Sequence, residues 1–248
     1  MKLLNIIPAV DAKRVWTKTV DDYSKKYLLP DTEVVTVDLE HGPEAVESRF
    51  DEVFAMPEVI IKCIEAEEAG YDGVFINCFG DPGLAAARER IRIPVFGGFM
   101  PAILFSFGLA ERVGIISILP EVMPLIREVI EKNNFAERIV SVRYVNTGVL
   151  DLELDGEDTL PQKLADEAIR AIEEDGMEAL VLGCTAMVGV KERVEELLAE
   201  KGHPIPVIEA AQTALVMLEA NIRMGMKHSL KSYMPTPKKR IDWWGEKL

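Results

Sequence analysis

Two cysteines stand at matching positions in a segment that occurs twice along the chain. Cys78 follows the apolar run 73–77, Cys184 follows the apolar run 179–183, and each cysteine precedes a stretch of helical composition. Both units then end on the tripeptide Ile-Pro-Val, at 93–95 and at 205–207. A repeated strand, cysteine and helix predicts two copies of one half-molecule, with the cysteines at equivalent places in the two halves.

Short apolar runs alternate with longer segments of helical period throughout the chain. The pattern predicts strands at 3–7, 34–37, 74–76, 113–118 and 139–145, and helices at 12–27, within 44–69, and at 82–90, 121–132, 160–174 and 210–223. Strands that alternate with helices are typical of parallel sheets built from right-handed crossovers. We therefore expect an α/β fold with two pseudo-symmetric lobes, each a parallel sheet flanked by helices, and an active site in the cleft between them.

The lobe boundaries are predicted from glycines and from the repeat. Gly97 and Gly98 follow the first Ile-Pro-Val, and we expect the chain to cross there from the first lobe to the second. We expect it to return to the first lobe at 205–209. The first lobe, carrying Cys78, is then expected to comprise 1–97 plus 209–248, and the second, carrying Cys184, to comprise 98–208. Trp243 and Trp244 in the tail are interpreted as covering a core edge or a subunit contact.

Composition excludes several classes of partner. The formal charge is −14, whereas nucleic acids and anionic membranes need clustered Lys and Arg, so neither is expected to bind. No apolar stretch is long enough to span a bilayer and the N-terminal residues lack a signal-peptide pattern, which favours a cytoplasmic protein. Three cysteines without a CxxC pair indicate free thiols and no metal site, and the absence of GxGxxG, P-loop or a lysine in either motif argues against a cofactor.

Both cysteines are predicted to lie where a strand ends, which is the edge where α/β sheets bind ligands. Asp81 is expected to cap a helix that begins at Pro82, and the N–H groups of such a helix end should lower the pKa of the Cys78 thiol. A pair of thiols facing one substrate supplies a base and an acid for inverting a carbon next to a carbonyl. The N–H groups of Phe79, Gly80, Thr185 and Ala186 are predicted to bind the substrate and stabilise the enolate oxygen.

Other interpretations of these residues stay open. Each cysteine can be a small buried hydrophobic residue, as we expect for Cys63 on the apolar side of its helix. A cysteine paired with a histidine is a further alternative, because His41, His203 and His228 lie outside both motifs but can approach in space.

The segments 77–83, 93–95 and 182–187 resemble the Asp/Glu/hydantoin racemase superfamily, and most closely its hydantoin and allantoin racemase branch. The resemblance implies two α/β lobes, racemisation without a cofactor, and Cys78 and Cys184 as the acid and base residues. It also implies a small-molecule substrate and a homo-oligomer.

Two loops depart from the family pattern. The loop after the first strand, often Asn-Pro-Asn-Thr, reads Ile-Pro-Ala-Val at 7–10, so only Pro8 is kept for substrate binding. In the family, the stretch after the third strand commonly carries a Glu after its Gly, whereas this chain reads Gly-Gly-Phe-Met-Pro at 97–101. Phe79, Phe99 and Met100 are therefore expected to line an apolar pocket. The expected substrate is a 5-substituted hydantoin or a related compound. A maleate-type cis-trans isomerase, an aspartate or glutamate racemase, and an inactive two-lobed protein that binds a small acid are the alternatives.

Overall fold

The fold is that of a computed structural model, which describes residues 1–152, 159–237, 242–243 and 246–247, with only the backbone for 13–16 and for the last two stretches. The side chains of Trp243 and Trp244 lie outside the described residues, so their interpretation stays a prediction.

Strands and helices alternate as the sequence pattern predicts. The strands are β1 (Lys2–Val10), β2 (Glu33–Leu39), β3 (Gly73–Ile76), β4 (Val95–Phe96), β5 (Val113–Ser117), β6 (Ile139–Tyr144), β7 (Ala179–Leu182) and β8 (Val207–Glu209), followed by a short antiparallel pair, β9 (Asp242–Trp243) and β10 (Glu246–Lys247). The helices are α1 (Lys13–Tyr27), α2 (Arg49–Glu68), α3 (Leu84–Arg90), α4 (Phe99–Ser106), α5 (Met123–Lys132), α6 (Thr159–Asp175), α7 (Lys191–Glu200) and α8 (Ala210–Arg223).

The two halves of the chain form sheets of the same topology. The first sheet has the order β2-β1-β3-β4 and the second the order β6-β5-β7-β8, and all neighbouring strands in both are parallel. In each sheet the third strand in sequence lies between the first and the fourth, and a cysteine follows it. The predicted α/β fold with two similar lobes is confirmed.

The two cysteine-bearing strands leave their sheets at equivalent points. After β3, the N–H of Asn77 donates to the carbonyl of Ile6 on β1 at 2.8 Å. After β7, the N–H of Gly183 donates to the carbonyl of Ile116 on β5, also at 2.8 Å. Because one residue separates each of these bonds from the following cysteine, Cys78 and Cys184 occupy structurally equivalent positions.

The strands that carry the cysteines are apolar because helices cover both faces of each sheet. Every residue of β3 and of β7 is buried, which is typical of inner strands of parallel sheets. Cys63 on α2 is fully buried in the core of the first sheet, together with Val59, Val74 and Ile76. Its expected place in the core is confirmed.

The helix after Cys78 begins later than expected, and Asp81 does not cap it. This helix, α3, starts at Leu84 rather than Pro82, and Gly83 precedes it with φ of 73°. Asp81 itself has φ of 54°, which lies in the left-handed region and is incompatible with the extended backbone of an N-cap residue. Its carboxylate instead accepts the N–H of Phe99 at 3.1 Å, at the start of α4.

The last helix returns to the first sheet. Leu215 and Leu218 on α8 pack with Leu3 on β1 and Phe75 on β3 in one buried cluster. The chain thus passes from the first sheet to the second after β4 and comes back after β8. No helix in the described part of the chain is both long and apolar enough to cross a membrane.

Candidate active site

A cavity of about 710 Å³ opens where the strands of both sheets end. Cys78 and Cys184 both line it. So do all five residues predicted to bind the substrate, namely Pro8, Phe79, Gly80, Thr185 and Ala186. The structure therefore brings together, in one cavity, every residue that the sequence placed in the site.

Backbone amides surround both sulfur atoms. The N–H of Gly80 faces the sulfur of Cys78, and those of Ala186 and Met187 face the sulfur of Cys184. The amides of Gly80 and Ala186, expected at the enolate oxygen, are thus directed at the thiols. N–H groups in this position stabilise a thiolate more than a thiol.

Burial outweighs these amides, so the expected lowering of the thiol pKa is wrong. Desolvation raises the pKa of Cys184 to about 11, and raises that of Cys78 further above its ordinary value. Helix ends do not offset it, because α3 starts six residues after Cys78 and α7 starts at Lys191. Each cysteine is followed by a turn, and the turn supplies one or two amides instead of a full helix end.

The two thiols influence each other electrostatically. A negative charge on Cys184 raises the pKa of Cys78, as do the charges of Asp81 and Glu52. When one sulfur is ionised, the other is therefore held more firmly in its protonated form. Such coupling favours the state with one thiolate and one thiol.

The wall of the cavity is largely apolar. Phe79 and Phe99 pack edge to face with ring centroids 5.3 Å apart, and Met100 lies beside them. Ile118 and Val149 come from the second half of the chain. The three residues expected to form an apolar lining do line the cavity.

Charged residues lie in the cavity wall and at its mouth, and sequence analysis missed most of them. Glu52 on α2 has a raised pKa, because burial disfavours its charge. Arg49, one turn earlier, forms a 2.7 Å ion pair with Glu128 on α5, so the pair joins the two halves across the cavity mouth. Arg88 also lines the cavity. Helix residues of this kind carry no local motif, and only the packing of helices against the strand ends reveals them.

Hydrogen bonds further link the two halves around the cavity. Tyr23 on α1 donates to the carboxylate of Glu209 at the end of β8 and accepts the N–H of Gly189 at 2.8 Å. On another side, the carboxylate of Glu47 accepts the N–H of Val149 at 2.5 Å. These contacts hold the two cysteine turns in a fixed relation.

Other chemistries find less support in the described residues. Within them, no cluster of three or more His, Cys, Asp or Glu could hold a metal ion. His41, His203 and His228 are absent from the cavity wall in the same part of the chain. His41 instead lies 3.5 Å from Glu58, and His203 lies 3.9 Å from Glu173.

Two similar α/β lobes thus each bring a thiol to one shared cavity. The Asp/Glu/Hydantoin racemase family model matches residues 13–218. The chain is 34% identical over 224 residues to the hydantoin racemase of Pseudomonas sp. (strain NS671), covering 90% of this chain and 88% of that one. It is 32% identical to the hydantoin racemase of Paenarthrobacter aurescens, covering 97% and 100% of the two chains.

A solved structure shows the same likeness. The allantoin racemase from Klebsiella pneumoniae matches with a TM-score of 0.87 and 30% identity, over 98% of this chain and 96% of that chain. The chain therefore belongs to the Asp/Glu/hydantoin racemase family, a family of isomerases, and lies on its hydantoin and allantoin racemase branch.

Proposed function

We propose that this protein is a cofactor-independent racemase in which Cys78 and Cys184 invert a carbon next to a carbonyl group. The observation that carries the proposal is their equivalent placement, each after the third strand of its own sheet and both on one cavity. Thiols from two pseudo-symmetric lobes can approach one substrate carbon from opposite faces.

The order of ionisation follows from the surroundings of the thiols. Two backbone amides face the sulfur of Cys184 and one faces that of Cys78, so Cys184 is the better stabilised thiolate and acts as the base on one face. Cys78 then keeps its proton and delivers it to the other face. The C–H electron pair passes into the enolate, and returns to the carbon when the new C–H bond forms. In the reverse direction the two sulfur atoms exchange roles.

The apolar wall supports a hydantoin with an apolar 5-substituent as the substrate. Allantoin carries a polar ureido group at this position, and aspartate, glutamate or maleate would bring two carboxylates. Burying such groups beside Phe79, Phe99 and Ile118 without matching partners costs free energy. Residues 7–10, expected to be a loop, form the end of β1, and with Pro8 in the cavity wall they offer apolar side chains where polar ones would hold a polar substrate.

Incorporation of deuterium from solvent tests the proposal. The protein is incubated in deuterated water with single enantiomers of 5-benzylhydantoin, 5-isobutylhydantoin, allantoin and glutamate, and separately with maleate, which has no stereocentre. We expect deuterium at the α-carbon, together with loss of optical activity, for the first two compounds. Conversion of maleate without α-exchange would instead identify a cis-trans isomerase, and tight binding without any exchange would identify a binding protein.

We further propose that the lobes comprise 1–97 plus 209–248 and 98–208, and that the protein acts in the cytoplasm as a homo-oligomer. The separate sheets on either side of residues 97–98 support this division. Exposed Leu104 and Phe105 in the last turn of α4, and Leu109 just after it, supply apolar surface for a subunit contact. Sedimentation of the purified protein, with and without charged substitutions at these three positions, tests the assembly.

A further inference from the structure

Asp81 is a half-buried acid in the cavity wall, three residues after Cys78, and it forms no ion pair among the described residues. Its Oδ1 accepts the N–H of Phe99 at 3.1 Å, and the N–H of Gly98 also bonds to this carboxylate. A Cβ added at Gly97 would lie 2.0 Å from the same oxygen. The carboxylate and the crossing segment, defined as residues 97–99, are therefore packed as closely as the backbone allows.

The crossing segment in turn contacts both cysteine turns. The N–H of Gly98 donates to the carbonyl of Cys78 at 3.0 Å. A Cβ added at Gly98 would lie 2.9 Å from that carbonyl oxygen and 2.8 Å from Cγ2 of Thr185, the residue after Cys184. Only a glycine fits between the two turns, so the crossing segment acts as the spacer between them.

We propose that Asp81 is a positioning residue that fixes the separation of the two sulfur atoms by anchoring this spacer. The inference rests on the proposed two-thiol function. The carboxylate accepts two consecutive amides of the spacer, and the spacer holds the Cys78 turn on one side and touches the Cys184 turn on the other. Removing the acceptor leaves the buried N–H of Phe99 without a partner and leaves the N–H of Gly98 with the Cys78 carbonyl alone, so the spacer loses its hold on the Asp81 side and shifts.

The expected effect on catalysis is large because proton transfer depends steeply on distance. A displacement of about 1 Å costs about 10²-fold in rate. We expect Asp81→Ala to lower kcat for α-deuterium exchange by about 10²-fold with a much smaller change in KM, since Asp81 lines the cavity but its carboxylate is bonded to the crossing segment and the aromatic wall is retained. Asp81→Asn keeps an oxygen that accepts the amides, and should retain most of kcat.

An alternative role for Asp81 is to transfer a proton itself, and the Asp81→Ala and Asp81→Asn variants distinguish this role from positioning. Asp81 lies near Arg88 and Glu52, and burial raises its pKa to about 7, so it could itself carry a proton. In that case Asp81→Asn would be as inactive as Asp81→Ala. Equal losses in the two variants, or no loss in a folded Asp81→Ala protein, would overturn the positioning role.

A second readout does not depend on activity. Bis-alkylating reagents of graded length are reacted with each variant, and mass spectrometry identifies the shortest reagent that bridges Cys78 and Cys184. We expect the same shortest bridging reagent for the wild type and Asp81→Asn. For Asp81→Ala we expect a different shortest reagent, or bridging by reagents of a broader range of lengths. The same set of bridging reagents in Asp81→Ala as in the wild type would overturn the inference. If the wild type exchanges the α-hydrogen of no substrate, the proposed function is wrong, but the bridging experiment still tests the positioning role of Asp81.

Glu67 supplies a matched control. Its carboxylate on α2 likewise accepts two consecutive backbone amides, from Arg92 and Ile93, and it does not line the cavity. We expect Glu67→Gln to leave unchanged both the exchange kinetics and the shortest reagent that bridges Cys78 and Cys184. Thermal unfolding of every variant identifies those that fail to fold. If Asp81→Ala does not fold, the Asp81→Asn variant alone tests the positioning role, and a tenfold or greater loss of its kcat contradicts that role.

Discussion

Tyr23 and Glu209 meet in a buried hydrogen bond that joins the first α-helix to the last strand of the second sheet. Their burial raises the pKa of both groups, so that Tyr23 remains a donor and the carboxylate of Glu209 is held by Tyr23 and by the amides of Gly189 and Lys191. The bond connects the two halves at the edge of the cavity, where a loose contact would separate the cysteine turns.

We predict that Tyr23→Phe lowers the free energy of unfolding by about 1–3 kcal/mol, because the buried carboxylate loses one donor. In a chain of this size that change corresponds to a decrease of about 2–4 °C in Tm per kcal/mol. Differential scanning calorimetry measures it, and Tyr144→Phe, at an exposed tyrosine, serves as the control. Equal melting of Tyr23→Phe and wild type would show that the bond does not stabilise the fold.

The thiols provide the most direct test of the mechanism. Cys78→Ser and Cys184→Ser each should abolish interconversion of enantiomers, since a serine hydroxyl is far too weak an acid to replace a thiol at neutral pH. Cys63→Ser removes a buried thiol outside the cavity and should lower Tm while leaving the activity per folded molecule intact. Polarimetry follows the reaction, and full activity in either active-site variant would end the two-thiol proposal.

The raised pKa values predict the direction of the pH dependence. A thiol is charged only after it loses its proton, so a pKa of about 11 at Cys184 means that the thiolate fraction keeps growing as pH rises above neutrality. We expect kcat/KM for exchange to increase from pH 7 to pH 9, by up to about tenfold per unit. A double variant without both thiols measures the spontaneous exchange to be subtracted. A rate that is level over this interval would show that substrate binding, or another group, sets the ionisation.

The spacer between the cysteine turns predicts the effect of one added methyl group. Gly98→Ala places a carbon within 3 Å of Thr185 and of the Cys78 carbonyl, so the turns must move apart. We expect a loss of about 10²-fold in kcat. Gly108→Ala also brings its Cβ close to a backbone carbonyl, at 3.3 Å, but it lies outside the cavity wall and should leave kcat unchanged. Wild-type turnover in the Gly98 variant would mean that the turns can separate without harm.

The repeat was sufficient to predict the fold, because each copy carries its own apolar strand and its own Ile-Pro-Val before the fourth strand. It also located Cys78 and Cys184, since residues that follow equivalent strands must lie at equivalent sheet edges. The start of α3 was misjudged, because Asp81 and Pro82 have the composition of a helix start but Asp81 adopts a left-handed backbone.

The sequence pattern could not predict properties that depend on residues far apart in the chain. The pKa of each thiol depends on how deeply both halves bury it, and Glu52 and Arg49 reach the cavity only because α2 packs across the strand ends. Neither the depth of burial nor the crossing of a helix over a sheet is encoded in a short motif.

The chain passes between the two sheets twice, once through the glycines at 97–98 and again after β8. The second half is thus an insertion joined to the first at both of its ends, so both sulfur atoms and the whole described cavity wall come from one polypeptide. A subunit that assembles with another copy therefore already carries a complete pair of thiols.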